Sequence, residues 1–176
     1  MLRPFFTALL LAPLLTLSAW AADVRELTWS EMVPPDAPVA TQPAAPMHDL
    51  SQLADALAAE QAPAAKQQSP AAPVVPSLDG QQVKLPGYIV PLEVSEEGRV
   101  TEFLLVPYFG ACIHVPPPPS NQIVHVTSEL GVLMDALYQP FWVEGPLQVK
   151  NSTSELADAG YQMDASKIYP YETPDS

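Results

Sequence analysis

The chain has 176 residues, and its 20 acidic against 7 basic side chains give a formal charge of −13. That balance argues against nucleic acid or anionic lipid headgroups as ligands, because both are held by Lys and Arg neutralising phosphate; cations and basic protein surfaces remain compatible. A single cysteine, Cys112, excludes an internal disulfide.

From the N-terminus, Arg3 precedes an apolar run from Phe5 to Leu17, broken by Pro13, and then the small-residue triplet Ala19-Trp20-Ala21. This is the pattern of a secretory signal, and cleavage is expected after Ala21. The run is shorter than the ~20 apolar residues a spanning helix needs. Neither basic stop-transfer residues nor a lipid-accepting cysteine follows it. A periplasmic protein with no stable membrane anchor is therefore expected once residues 1–21 are removed.

Residues 22–35 include the apolar stretch Leu27-Thr28-Trp29-Ser30-Glu31-Met32-Val33-Pro34, which reads as a terminal clasp on the domain that follows. Residues 36–76 read as a linker: over 31–76, 22 of 46 positions are Pro or Ala, too poor in large apolar side chains to pack alone. Within it, Leu50, Leu53 and Leu57 share a helical face behind Asp49 as a cap, predicting one short helix over about 50–60 that Pro63 ends.

Residues 77–173 have the texture of strands. Strands are predicted around Gln82–Leu92, Val100–Pro107, Ile123–Val126, Phe141–Lys150 and Tyr161–Ala165, with a turn at Glu96-Glu97-Gly98. Pro86-Gly87 and Gly145-Pro146 each predict a bend or bulge. Leu130, Leu133, Met134 and Leu137 fall at helical spacing, predicting a helical segment over 128–137. Several short, kinked strands fit a mainly β fold, and specifically a small, partly open barrel of the oligonucleotide-binding (OB) type with one or two short helices.

Leu85-Pro86-Gly87-Tyr88-Ile89-Val90-Pro91-Leu92, the run Phe109-Gly110-Ala111-Cys112-Ile113-His114-Val115-Pro116-Pro117-Pro118-Pro119-Ser120-Asn121-Gln122, Trp29 to Pro34 and Trp142 to Leu147 together resemble an uncharacterised family of exported proteobacterial proteins, a domain of unknown function. Its members are often encoded beside ABC-type permeases of the macrolide-exporter class, sometimes in metal-responsive settings. The resemblance implies an accessory periplasmic role with such a permease, or another envelope protein, as partner. It implies no reaction and no catalytic residue.

Cys112 and His114 are two apart, so an extended backbone puts both side chains on one face. After the four prolines, the chain returns to a strand carrying His125, a candidate third ligand. Thiolate with two imidazoles suits zinc or copper, with water, Glu129, Asp135 or a methionine as fourth partner. The same thiol also reads as a small buried hydrophobe, as a nucleophile activated by a histidine, or as half of a disulfide to a partner. His125, between Val124 and Val126, also reads as a core histidine. Asn121 and Gln122 are placed to hydrogen-bond the loop backbone, and the proline run to stiffen it or to dock in an aromatic groove.

Phosphate-loop, Gly-x-Ser-x-Gly, His-Glu-x-x-His and paired-cysteine redox motifs are lacking. The expected function is that of a non-enzymatic accessory or binding protein of an envelope transport system, with a soft metal ion at Cys112, His114 and His125. A metal-free structural adaptor and a Cys-His enzyme are the alternatives.

Overall fold

Buried positions recur at every second residue from Val83 through Leu85 and Gly87 to Ile89, the period of a strand with one face buried, and in the computed structural model they begin the longest strand of a mainly β domain. The structure describes residues 24–37, 66–67, 69–112 and 115–172. The expected signal segment, the cleavage point and the helix over 50–60 lie outside them.

The strands are β1 (Arg25–Glu26), β2 (Gln82–Val94), β3 (Arg99–Val106), β4 (Val124–Leu133), β5 (Phe141–Gln148), β6 (Ser152–Thr153), β7 (Asp158–Ala159), β8 (Tyr161–Asp164) and β9 (Lys167–Pro170). β2, β3 and β4 form an antiparallel meander; β8 then lies parallel to β4 and antiparallel to β5, and β5 returns antiparallel to β2. Pairing thus runs in a ring of five strands. β1 adds to β2 in parallel, β9 adds to β5, and β6 and β7 form a small separate hairpin.

β2 changes partner where the sequence predicts a bend. Gln82 to Gly87 pair with β5 and Tyr88 to Val94 with β3. A Cβ at Gly87 would lie 2.8 Å from the carbonyl oxygen of Val106, so the strand passes close to its neighbour only without a side chain.

The ring interior holds Val83, Leu85, Phe103, Leu105, Val126 and Tyr161 among others, and Leu27 and Met32 from residues 24–37 join the same cluster, all but fully buried. Trp29 packs beside them and donates from Nε1 to the Pro86 carbonyl at 2.7 Å. A second apolar cluster, on the other face of β3, collects Val90, Leu104, Val106, Ile123 and the alanines of the 157–159 segment.

The helix expected over 128–137 does not form. β4 runs on to Leu133, and only Met134–Ala136 makes a 3-10 turn. Val100 pairs with Val132, yet Glu102 pairs with Thr127, so Thr101 alone opposes the excursion Ser128 to Gly131. Gly131 takes the left-handed φ of 59°, and Arg99 donates to the carbonyls of Leu130 and Gly131 at 2.8 and 3.0 Å. Pairing with β3 overrides the helical spacing, and Leu130, Leu133 and Met134 are exposed rather than core. Among the described residues the helical elements are short 3-10 turns, the others being Trp29–Met32, Pro76–Leu78 and Ser120–Gln122.

Candidate functional site

The proline run is packed, not presented. Pro117, Pro118 and Pro119 are buried, and Gln67 donates from Nε2 to the Pro118 carbonyl at 3.1 Å while Ala72 and Ser69 bond Ser120. Asn121 donates from Nδ2 to the Pro73 carbonyl at 2.8 Å. Its partner is therefore the end of the Pro/Ala-rich segment rather than the cysteine loop.

That loop is closed by the Val115 N–H donating to the Gly110 carbonyl at 3.2 Å. Cys112 takes a φ of 67°, uncommon for a residue with a side chain, and packs half-buried against the second apolar cluster beside Tyr108. Burial pushes its thiol up from 9.0 to about 11. His114 lies outside the described residues. We expect Cys112 in the folded protein to react with iodoacetamide at pH 8 on the order of 100-fold more slowly than in the unfolded chain, since the thiolate is the reacting species. The same shift has a sign for folding. The folded state keeps its proton longer, so the contribution to stability is full below pH 9 and falls as pH rises toward 11; urea titrations at pH 8 and 10.5 check it. Equal alkylation rates in both states would place the thiol in solvent.

His125 sits on the outer face of β4, opposite Leu104 of β3. Its Nε2 lies 2.7 Å from Oε1 of Glu102 and its Nδ1 lies 2.9 Å from Oγ of Ser152. A carboxylate only accepts, so the neutral ring donates from Nε2 to Glu102 and accepts the Ser152 hydroxyl proton at Nδ1. Both ring nitrogens are thus engaged, and as a metal ligand His125 would have to give up one of these partners. Among the described residues no group of three His, Cys, Asp or Glu is arranged to hold a metal ion. Sequence reasoning singled out His125 but missed Glu102 and Ser152, which stand 23 and 27 residues away with no local pattern to join them.

Two concavities meet this cluster at Glu102, and both are lined by Glu93 and Glu102. One, of about 740 Å³, is lined by Glu93, Thr127, Glu129 and Asp164; the other, of about 390 Å³, by Leu92, Thr153 and Glu155. A third, apolar groove of about 340 Å³ lies between Tyr88, Pro91, Phe109 and Tyr138. Tyr88 and Phe109 meet edge to face at 5.7 Å, and Phe109 and Tyr138 remain 63% and 73% exposed.

The described residues thus form a mainly β domain with a closed circuit of five strands, a polar cluster on an outer face and an aromatic groove. Residues 29–170 match the model of a protein family of unknown function, DUF3299, and the chain belongs to that family. It is similar to the crystal structure of a DUF3299 family protein from Pseudomonas aeruginosa PAO1, with 64% identity and a TM-score of 0.74 over 85% of this chain and 97% of that one. No curated protein matches the chain.

Proposed function

We propose that the chain is an exported accessory protein that binds a partner in the cell envelope through its aromatic groove, on a barrel of the OB type. The strand order supports that barrel: a three-stranded meander, a fifth strand parallel to the third, and a fourth strand joined to both the fifth and the first. The signal-like pattern of residues 1–21 supports export to the periplasm. Among the described residues no helix is long and apolar enough to cross a membrane.

The observation that carries the reading is the groove with Phe109 and Tyr138 largely exposed beside it. Solvated aromatics of this size are the side chains that dominate interface energetics once a partner buries them. The excess of acidic residues selects a partner with a basic rim, and the extracytoplasmic domain of an ABC permease of the macrolide-exporter class is the partner the sequence resemblance suggests. The soft-metal reading, zinc or copper at Cys112, His114 and His125, rests on their spacing, the softness of the ligand set and the acidic surroundings, and the partner reading does not require it.

Binding of the mature protein to such a purified domain, followed by calorimetry, tests the proposal. We expect Phe109→Ala with Tyr138→Ala to weaken binding at least about tenfold, as for interface aromatics, and Cys112→Ser to leave it unchanged. Binding lost in Cys112→Ser, together with bound zinc or cuprous ion, would favour the metal reading instead. Equal binding by all variants would remove the groove as the docking site.

A further inference from the structure

The line Ser152, His125, Glu102 places a hydroxyl, an imidazole and a carboxylate within hydrogen-bond reach in sequence, at 2.9 and 2.7 Å. None of the three is in solvent on a loose loop. Ser152 belongs to the β6–β7 hairpin, which is tied by Thr153 to Asp158 at 2.6 Å and by Gln67 to both backbone groups of Asp158. His125 and Glu102 project from paired strands with side chains only 17% and 31% exposed. Ser152 is partly exposed, and its neighbour Thr153 lines, together with Glu102, a concavity of about 390 Å³ beside the hydroxyl's strand.

We infer that Ser152 is an acyl-accepting nucleophile, with His125 as its general base and Glu102 as the group that positions the imidazole, and that the site hydrolyses small neutral or cationic esters. Glu102 holds the proton on Nε2, which leaves Nδ1 as the acceptor facing the Ser152 hydroxyl. As Ser152 Oγ forms its bond to the ester carbonyl carbon, its proton passes to Nδ1. The bond from that carbon to the alcohol oxygen then breaks, and the departing alcohol takes the proton from Nδ1. A water molecule repeats the sequence on the acyl-serine, releasing the acid and restoring Ser152. The carboxylates of Glu93, Glu129, Glu155 and Asp164 along the flanking grooves oppose an anionic substrate. The inference is independent of the aromatic groove and does not rest on the partner reading.

Three readouts on the full mature protein test it. A fluorophosphonate probe is expected to label Ser152, located by peptide mass spectrometry, with labelling absent in Ser152→Ala. Labelling is expected to fall about 100-fold in His125→Gln, the range of a general base. For p-nitrophenyl acetate, Glu102→Gln is expected to lower kcat about tenfold with KM little changed, and Glu102→Asp to recover part of it. Acetylthiocholine is expected to be cleaved and an anionic sulfophenyl acetate spared. Melting temperatures within a few degrees of the parent show that the variants fold. Labelling that is missing from Ser152, or that proceeds as fast in His125→Gln as in the parent, would overturn the inference and leave the three side chains as a tie between the hairpin and β4.

Discussion

Replacing Gly145 with alanine is expected to lower stability by about 3 kcal/mol, at the upper end of what overpacking a tight core costs. A Cβ there would run into the carbonyl oxygen of Asp164 and lie 2.9 Å from Cγ of Met163. Asp164 ends β8, which is held on its other side by β4, so its backbone has little room to retreat. Gly145 pairs with Val83 of β2 and lies between the part of β5 paired with β9, which ends at Glu144, and the part paired with β8, which begins at Leu147. Urea unfolding measures the effect as a lower midpoint at unchanged slope. Gly98→Ala is the control: its Cβ would meet nothing within 4 Å, and only the left-handed φ of 72° opposes it, at roughly 1 kcal/mol. A Gly145→Ala midpoint equal to that of Gly98→Ala would mean that β8 moves freely away from β5.

Tyr161→Phe is the second large effect. Tyr161 is fully buried, and its hydroxyl accepts from the Val75 N–H and donates to the Met32 carbonyl, each at 2.8 Å. One phenolic oxygen thereby ties β8 to the 29–32 turn and to the end of the Pro/Ala-rich segment. Phenylalanine fills nearly the same volume but leaves the buried Met32 carbonyl and the partly buried Val75 N–H without this partner, which costs about 2 to 4 kcal/mol. Hydrogen exchange is expected to rise at Val75 and around Met32 before it rises in β3 or β4. Uniform exchange across the domain would show that these segments do not depend on the hydroxyl. Burial also raises the Tyr161 pKa, against the smaller opposing effect of the Val75 bond. Its contribution to stability is therefore full below the ordinary tyrosine range and lost as pH climbs through and above it, the same direction as for Cys112.

Much of the strand content follows from local pattern. The alternation in β2 and the turn at Glu96-Glu97-Gly98 are properties of neighbouring residues with counterparts in the structure, whereas at the expected bends β2 changes partner at Pro86-Gly87 and β5 runs through Gly145-Pro146 in unshifted register with β2. Residues 128–137 went the other way. The spacing of Leu130, Leu133, Met134 and Leu137 suits a helix, but a strand already paired with β3 gains ladder hydrogen bonds that an isolated helix of that length cannot match. The last strand, Lys167–Pro170, left no sequence signal, because a short edge strand needs only one neighbour and little apolar surface.

The amino-acid sequence by itself determined the acidic balance, the single thiol, the mainly β class and the position of most ring strands, because charge, cysteine count and period-two alternation are local quantities. Only the tertiary structure decided what the individual groups face. Met32 meets Tyr161 across 129 residues, His125 finds Glu102 and Ser152 across 23 and 27, and the proline run is covered by a segment some 50 residues earlier. Such partners are chosen by the closure of the ring, which brings β2 to β5 and β4 to β8. That closure turns a histidine flanked by two valines outward into a polar cluster and leaves Phe109 and Tyr138 in solvent.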